Sequence, residues 1–581
     1  MIEKAPPSTA SARSKAVRSN TVSILASAVA FSIEIYRSHF RPDITDAGLE
    51  NIRRVFGTDF VEIDSAYNFA LVRAGDDIDI GHVSTTATFG EPRAYRTTQI
   101  GGAPYGSSVT VDSPPDRIVS FVVATDVDWA GGTSECDGIE QIFLTSNGNI
   151  SAMEVAGDMF VGHVHSTSGD ISLVSSQRIL DADRQVSVDV TGVNIRLTSG
   201  DAGKRQPGPR GGIGQADDFL EVNTDRNNTG GRLDAFDISA PINDGIFLDE
   251  LTGAMPVGLI QSKANVALRT VNGSVIDLSN DASADVVGLT VDIDANGGRS
   301  SIGQQQNDLE INSGAGVATP GLEAAGHDVS LEAPFGIFVT ETNGALRLML
   351  AHSFGGDIRL TVRESSALGE DLQLVRQGTA RFAESNMRLP GNQVDAERVV
   401  SRGLIFAEAG DVTLLVGDNI ALHRSSAIVA RQNIEIRGDH LNLDIGTGST
   451  MDLRGQIIAG ARIVTAGSQS GANPIGIFAP TLTAPQFSTA IFGERDVDTI
   501  NFGDASGIAG GTVHGDAGYI FLGSRTRVSA GGGEDRVRVF FLQDTSTVTS
   551  PAQLVALTAL SSQLAAHTLT LDGQDGADTY E

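Results

Sequence analysis

Two pairs of side chains in the sequence have a spacing that could support chemistry. His163 and His165 stand two residues apart, so on a β-strand both imidazoles would face the same side, as in a two-ligand metal site. Asp292 and Asp294 have the same spacing, and glycoside hydrolysis uses paired carboxylates. We favour a simpler interpretation of each pair. The histidines are incidental, because related segments of the chain lack the pair, and the aspartates lie on an exposed strand face.

Three stretches near the C-terminus could bind a cation. They read GERDVDTIN, AGGGEDRVR and GQDGADTYE and resemble degenerate copies of the hemolysin-type calcium nonapeptide. In that motif glycines allow tight turns, whose carbonyl groups gather around calcium together with an aspartate. The resemblance implies calcium ligands at Asp498, Asp535, Gly573, Asp575, Gly576 and Asp578. The alternative is that these stretches are only Gly-Asp turns between strands.

The elements that would position these residues are short β-strands. Segments such as GDISLV, GDIRLTV and GVNIRLTSG begin at a turn and then alternate apolar with polar residues. A period of two residues is typical of a strand with one buried face. Glycine supplies positive φ and Asp or Asn bonds the local backbone, so the pairs mark turns. The pattern predicts strands that recur every ~8–12 residues.

A longer repeat organises these strands. The phrase GIGQADDFLEVNT returns 89 residues later as SIGQQQNDLEINS, and GIFLDELTG returns after 91 residues as GIFVTETNG. Ser166, Ser262 and Ser353 hold one position in three copies. A unit of roughly 90–95 residues therefore recurs from about residue 140 to about residue 415. Recurrence at a nearly fixed period is the mark of a repeat architecture.

We predict an all-β chain that folds as a right-handed parallel β-helix with short capping helices. Tandem β-sandwich domains are the alternative. The β-helix is favoured because the short strand pattern recurs inside the long repeat, and because the repeat offset drifts by a few residues, which a solenoid absorbs as loops. The capping helices are expected at Asp43–Gly57 and Ser550–His567, where the sequence has helix-start signals.

Three regions are expected along the chain. Residues 1–60 form an N-terminal segment, residues 61–485 the β-helical array, and residues 486–581 a C-terminal β region with the calcium-motif stretches. The first region contains basic residues followed by the apolar run TVSILASAVAFSI, which resembles a signal peptide. Its alternative is an ordinary strand or helix.

Composition narrows the classes of function. The chain has 72 acidic and 41 basic residues, for a net charge of -31, which disfavours binding to nucleic acid because phosphates would be repelled. No apolar run reaches the ~18 residues of a membrane span. Cys136 is the single cysteine, so no intramolecular disulfide can form. Six Tyr and one Trp leave few aromatic platforms for sugar binding.

From about residue 70 to residue 581 the chain resembles the large repetitive exported proteins of Gram-negative bacteria. These combine filamentous-haemagglutinin-like β-helical arrays, with GDIxL strands, and hemolysin-type calcium repeats. The resemblance implies a secreted or cell-surface, non-enzymatic protein of the adhesin type, with calcium as its cofactor and dependence on secretion machinery. Its expected partners are a host or neighbouring-cell surface, extracellular matrix or polysaccharide. A polysaccharide-degrading β-helix enzyme and a structural spacer of a giant exported calcium-binding protein are the alternatives.

Overall fold

A computed structural model gives the conformation of the strand-forming parts of the chain. The residues described are 29–31, 62–66, 69–73, 83–85, 93–95, 108–112, 119–123, 141–146, 149–154, 158–182, 186–201, 210–224, 231–240, 242–314, 328–366, 368–375, 403–423, 426–464, 477–480, 487–494, 496–502, 508–509, 512–513, 521–522, 525–539, 569–572, 574 and 577–580. Within these ranges the chain forms strands and turns and no helix. No helix long and apolar enough to cross a membrane is found there.

The chain divides into two compact units, Met1–Ala264 and Asn265–Glu581. The strands of the first unit are β1 Val29–Phe31, β2 Glu62–Ala66, β3 Phe69–Arg73, β4 Val83–Thr85, β5 Arg93–Tyr95, β6 Ser108–Asp112, β7 Val119–Val123, β8 Gln141–Ser146, β9 Ile150–Glu154, β10 Met159–Ser166, β11 Ile171–Ser175, β12 Arg178–Asp181, β13 Val190–Thr191, β14 Asn194–Ser199, β15 Arg210–Ile213, β16 Leu220–Asn223, β17 Arg232–Asp237, β18 Ile242–Glu250 and β19 Met255–Gln261.

The second unit continues with short strands. They are β20 Asn265–Thr270, β21 Val275–Asp277, β22 Val286–Gly288, β23 Thr290–Asp294, β24 Ser301–Ile302, β25 Leu309–Ser313, β26 Val329–Ala333, β27 Gly336–Glu341, β28 Leu346–Ser353, β29 Ile358–Val362, β30 Leu372–Leu374, β31 Leu404–Ala407, β32 Val412–Val416, β33 Ile420–Leu422, β34 Ala427–Ala430, β35 Ile434–Arg437, β36 Thr450–Leu453, β37 Gln456–Ile458, β38 Ala461–Val464, β39 Ile477–Pro480, β40 Ser488–Phe492, β41 Thr499–Phe502, β42 Ile508–Ala509, β43 Thr512–Val513, β44 Phe521–Leu522, β45 Arg525–Ser529, β46 Arg536–Val539, β47 Leu569–Asp572 and β48 Thr579–Tyr580.

Parallel pairing dominates the first unit. A small antiparallel sheet of β1, β2 and β3 and a β4–β5 hairpin come first. From β6 onward the strands alternate between two parallel sheets, one with β8, β10, β12, β13, β15, β16 and β18, and the other with β7, β9, β11, β14, β17 and β19. Chain-order alternation between parallel sheets is a solenoid and excludes antiparallel sandwiches. The prediction of an all-β parallel β-helix is therefore confirmed.

The second unit has the same plan with a change partway along. The short pairs β21/β22 and β24/β25 lie in the sheet that contains β27, while β20, β23 and β26 lie in the sheet that contains β28. After β28 the short pairs β30/β31 and β33/β34 lie in the sheet of β28, and the single strands β29, β32 and β35 lie in the sheet of β27. One sequence repeat therefore spans a whole number of solenoid turns plus one half. Equivalent strands of successive repeats consequently lie in opposite sheets.

The repeated phrase encodes one corner of the solenoid. In each copy a glycine in the left-handed region starts a turn, Gly214 at φ 63° and Gly303 at φ 64°. Two reciprocal backbone hydrogen bonds, between residues 215 and 218 or between 304 and 307, close each turn at 2.7–3.1 Å. A Cβ on Gly303 would lie 2.1 Å from the carbonyl oxygen of Phe338. The phrase recurs because the same corner needs the same glycine.

The three equivalent serines confirm the alignment of the repeats. Ser166, Ser262 and Ser353 are buried, and each hydroxyl oxygen accepts a backbone N–H from two or three residues later. The donors are Gly169 at 2.8 Å, Ala264 at 3.0 Å and Gly356 at 3.2 Å. Each serine therefore lies at the end of a strand or directly after it, and closes the turn that follows.

Apolar side chains stack from strand to strand inside the solenoid. In one column Leu268, Ile293 and Leu331 occupy matching positions on β20, β23 and β26, and all three are 0% exposed. The residues predicted to face inward are all buried, namely Ile171, Leu173, Val266, Leu268, Ile358 and Leu360. Period-two alternation therefore identified the inner face correctly.

Several sequence predictions stay open. Both expected capping helices, Asp43–Gly57 and Ser550–His567, lie outside the described residues. Part of the apolar stretch near the N-terminus, Val29–Phe31, pairs with β2. Parallel pairing runs from β35 to β40 across position 485, and the three expected regions remain predictions.

Candidate functional site

The predicted calcium turns come together at one corner of the second unit. Asp498, Asp535 and Asp578 each precede a strand, and these strands, β41, β46 and β48, are parallel neighbours. The Asp498 N–H donates to Oδ1 of Asp535 at 2.9 Å, and the Asp535 N–H donates to Oδ1 of Asp578 at 3.3 Å. Copies that are far apart in sequence thus stack on successive turns. Gly573, Asp575 and Gly576 lie outside the described residues.

Asp498 is the most enclosed of these aspartates. It is 0% exposed, and Oδ1 accepts both the N–H and the hydroxyl of Ser449, at 2.8 and 2.7 Å. Oδ2 accepts the N–H of Glu494 at 3.0 Å. Burial raises the pKa of Asp498 to about 6 despite these bonds. The carboxylate therefore joins neighbouring turns, and calcium at this turn stays a prediction.

The aspartates that precede β41, β46 and β48 belong to a longer column of turn residues in the second unit. The register aligns Leu372, Ile420, Met451, Ile500, Val537 and Tyr580. We name the residues two positions before them the ladder corner: Glu370, Asp418, Ser449, Asp498, Asp535 and Asp578. At its upper end the Glu370 N–H donates to Asp418 Oδ2 at 2.9 Å. Sequence reasoning missed this part because the glycine spacing of the motif is absent there; the usable signal was an acidic residue two positions before an inward apolar one.

A second group of acids occurs twice. Three carboxylates approach within 4.8 Å of one another in each unit, and all are buried: Asp181, Asp189 and Glu221 in the first unit, and Asp277, Asp285 and Glu310 in the second. The offsets are 96, 96 and 89 residues, which are those of the internal repeat. We call this arrangement the duplicated corner. Three oxygen ligands at this separation could hold a hard divalent cation.

The two copies of the duplicated corner share their backbone contacts. Oδ2 of Asp189 accepts the Glu221 N–H at 3.0 Å, and Oδ2 of Asp285 accepts the Glu310 N–H at 3.1 Å. Burial raises the pKa of Asp285 to about 8, with a further contribution from Asp277 and Glu310. Burial, together with the neighbouring Asp277, raises the pKa of Glu310 to about 7. In the second unit these two acids therefore favour their protonated forms near neutral pH, and a bound cation would favour the ionised forms.

A third group, the Glu364 cluster, lies beside the ladder corner in the second unit. It consists of Glu364, Asp439 and Asp444, whose carboxylates also approach within 4.8 Å. Glu364 follows β29, Asp439 follows β35, and Asp444 lies in the connection to β36. Neither the calcium-motif pattern nor the repeat pointed to it, because its members come from different turns without a common spacing.

The histidine pair lies on one strand face, as predicted. His163 and His165 are half-buried on β10, with ring centroids 5.5 Å apart and the rings stacked. Neither belongs to any group of three potential metal ligands formed by the described residues. The pair contributes ring stacking, and its geometry does not favour a metal site.

The aspartate pair differs from expectation. Asp292 and Asp294 are 2% and 3% exposed, so the prediction of an exposed strand face was wrong. Arg269 on the neighbouring strand lies between them, with Nη2 3.9 Å from Asp292 and Nε 3.3 Å from Asp294. A buried arginine offsets the cost of burying two carboxylates. Held in this way, the pair does not form the open acid and base of a glycosidase.

Sequence reasoning also missed a buried histidine. Nε2 of His352 lies 2.9 Å from Glu408 and Nδ1 lies 3.6 Å from Glu332. Burial lowers the pKa of His352, but the two neighbouring glutamates more than offset this effect and raise the pKa to about 8. The ring also stacks on Phe406. This arrangement neutralises the charge of the two glutamates on the outer side of β28. It also links β26, β28 and β31, which carry Glu332, His352 and Phe406.

Comparisons of the chain with protein-family models, with curated proteins and with solved structures found no match in any of the three. The resemblance to filamentous-haemagglutinin-like exported proteins therefore rests on the sequence patterns described above.

Proposed function

We propose that the chain is a non-enzymatic β-helical protein of the adhesin type, exported by a Gram-negative-type bacterium and binding calcium in its carboxylate corners. The observation that carries the proposal is the duplicated corner, in which the same three acids recur in successive repeats. A catalytic centre needs one set of groups around one substrate. A stabilising cation is useful at every repeat, so duplication favours a structural role.

Calcium suits these corners for chemical reasons. The ligands are carboxylate oxygens, which hard cations prefer, and calcium accepts irregular arrangements of them more readily than magnesium does. The chain also carries a net charge of -31, so its compact form is opposed by self-repulsion that divalent cations reduce. Outside the cell, calcium is abundant enough for sites of about 0.1–1 mM affinity.

The outer face of the solenoid supports a binding role. On β29, β32 and β35 the residues Arg359, Thr413 and Glu435 align on the outward side, where each is half-buried. A flat polar column of this kind presents hydrogen-bonding groups at the ~4.8 Å spacing of strands. Extended solenoid surfaces are commonly used to bind partners. A polysaccharide, matrix protein or neighbouring-cell surface fits such a face.

The alternative of a polysaccharide-degrading enzyme is less well supported. The carboxylate pair on β23, Asp292 and Asp294, is buried against Arg269. The duplicated corner is likewise buried, which leaves little room for a substrate.

The test is a binding assay with the full chain. Fluorescently labelled protein is added to immobilised polysaccharides, matrix proteins and bacterial cells in about 1 mM calcium, in chelator, and in magnesium at the same concentration. We expect binding that depends on calcium, and no new reducing ends or unsaturated products in the polysaccharide samples. Product release in proportion to protein and time would overturn the non-enzymatic proposal. Equal binding in chelator would overturn the role of calcium.

A further inference from the structure

The Glu364 cluster differs from Asp498 of the ladder corner in how its carboxylate oxygens are occupied. Both oxygens of Glu364, Oδ1 of Asp439 and both oxygens of Asp444 are buried atoms without a hydrogen-bond partner among the described residues. The remaining oxygen, Oδ2 of Asp439, accepts the side-chain amide of Asn442 at 3.0 Å. Five inward carboxylate oxygens in one place are thus left without a donor.

The enclosure of these groups makes their lack of donors costly. Glu364 is 4% exposed and Asp439 is 1% exposed. A buried ionised carboxylate is unfavourable unless it is paired, bonded or bound to a metal. Asp444 is half-buried, but both of its carboxylate oxygens are buried atoms.

The surrounding charges are of one sign. Burial raises the pKa of Glu364 to about 7, and the next contributions come from Asp444, Asp418 and Glu370, all carboxylates. Burial likewise raises the pKa of Asp439 to about 7, followed by Asp498 and Asp444. At neutral pH the cluster would therefore gain from a cation placed among its oxygens.

We propose that Glu364, Asp439 and Asp444 bind one divalent cation, for which calcium is the best fit. The three carboxylates offer at most six oxygens, five of them without a donor, and water or backbone carbonyl groups would complete the six to eight oxygen ligands that calcium takes. Magnesium is a poorer fit because it requires near-octahedral geometry and retains several waters. The site has no nitrogen or sulfur ligand, which disfavours zinc. This inference does not depend on the adhesin proposal.

The cation would also hold a surface loop. Between Asp439 and Gly446 the chain turns three apolar side chains outward: Leu441, Leu443 and Ile445 are 63%, 55% and 85% exposed. On the inward side, Oδ2 of Asp496 accepts the amide of Asn442 at 2.8 Å and the N–H of Gly446 at 2.6 Å. Since apolar burial does not anchor this loop, carboxylate–cation bonds would account for much of its attachment.

The experiment compares the full chain with Glu364→Gln, which keeps the shape of the side chain and removes its charge. Asp217→Asn is the matched control, because it removes one charge at an exposed turn position. Calcium binding is measured by equilibrium dialysis, and thermal unfolding is measured in chelator and in calcium with matched sodium chloride. We expect Glu364→Gln to lose one bound calcium, or to bind it more than about tenfold more weakly, since even indirect partners of a metal contribute about that much.

The melting temperatures give a signature that misfolding cannot imitate. In chelator Glu364→Gln should melt at or above the wild-type temperature, because an uncompensated buried charge is gone. In calcium it should melt below the wild type, because the cation no longer stabilises it. Calcium should also slow cleavage of the 439–446 loop in the wild type and in Asp217→Asn, but not in Glu364→Gln. Unchanged calcium stoichiometry and affinity in Glu364→Gln would overturn the site, whatever the adhesion assay shows.

Discussion

The ladder corner and the Glu364 cluster lie side by side in the second unit, yet their acids are used differently. At the ladder corner Asp498 accepts donors from Ser449 and Glu494, so its charge is compensated by the backbone of neighbouring turns. In the Glu364 cluster five of the six carboxylate oxygens lack a donor among the described residues. Residue type is the same in both regions. The available backbone N–H groups decide which acids join turns and which ones need a cation.

The largest expected effect comes from disrupting the apolar core of the second unit. Leu414 stacks between Leu360 and Ile436 and is 0% exposed. Leu414→Asp should lower the free energy of unfolding by about 3–5 kcal/mol, because it buries a charge without a partner. Thr413→Asp, on the outward side of the same strand, is the control in urea unfolding. Equal losses from both variants would contradict the assigned facing of β32.

The next test compares the ladder corner and the Glu364 cluster directly. Asp498→Ala leaves the buried N–H groups of Ser449 and Glu494 without an acceptor, which should cost about 1–3 kcal/mol for each. Asp498→Asn retains one acceptor and should cost less. Urea unfolding in chelator measures both, beside Glu364→Gln, which should cause no loss there. If Asp498→Ala lowers the free energy of unfolding no more than Glu364→Gln does, the ladder corner and the Glu364 cluster do not differ in the way their contacts indicate.

Much of the fold could be predicted from local sequence patterns, because they report local geometry. Gly-Asp turns and period-two apolar residues identified the strands, and Ile171, Leu173 and Leu268 face inward as expected. The repeated phrase correctly marked a recurring element. That equivalent strands change sheets between repeats was not predictable, because sheet membership depends on how many turns a repeat spans.

The candidate sites were less predictable for a related reason. Asp498 and Asp535 were identified from their glycine spacing, but their stacking on adjacent turns depends on the lengths of the intervening loops. Glu364 and Asp439 lie 75 residues apart and share no motif. The burial of Asp292 was missed because alternation along a strand identifies its two faces but does not show that the outer face is covered.

A weaker effect is expected from pH. The folded-state pKa values of Glu364 and Asp439 are raised to about 7, above their unfolded values, so folding favours the protonated forms. In calcium-free buffer their contribution to stability is fully present below pH ~4 and is lost as the pH rises through about 7. Melting temperatures between pH 4.5 and 8 should therefore fall with pH. Glu364→Gln should show a shallower slope, as should the wild type in calcium, and a slope that neither change affects would contradict the assignment.

The smallest effect is expected at the outer end of the ladder corner. Asp578 is half-buried, and its bond to the Asp535 N–H is 3.3 Å long. Asp578→Asn should cost about 0.5–1.5 kcal/mol, the usual range for one hydrogen bond, and should change the calcium-induced rise in melting temperature less than Glu364→Gln does. A complete loss of that rise in Asp578→Asn would instead place the dominant calcium site at the hemolysin-type turns.

The most direct test of the difference between the ladder corner and the Glu364 cluster is anomalous X-ray scattering from crystals of the full chain grown with calcium. We expect an anomalous peak within about 2.3–2.6 Å of oxygens from Glu364, Asp439 and Asp444, the usual range for calcium ligands. The same peak should be absent from crystals of Glu364→Gln grown in the same solution. Well-ordered carboxylates at this position with no peak at saturating calcium would show that Glu364, Asp439 and Asp444 do not form a calcium site.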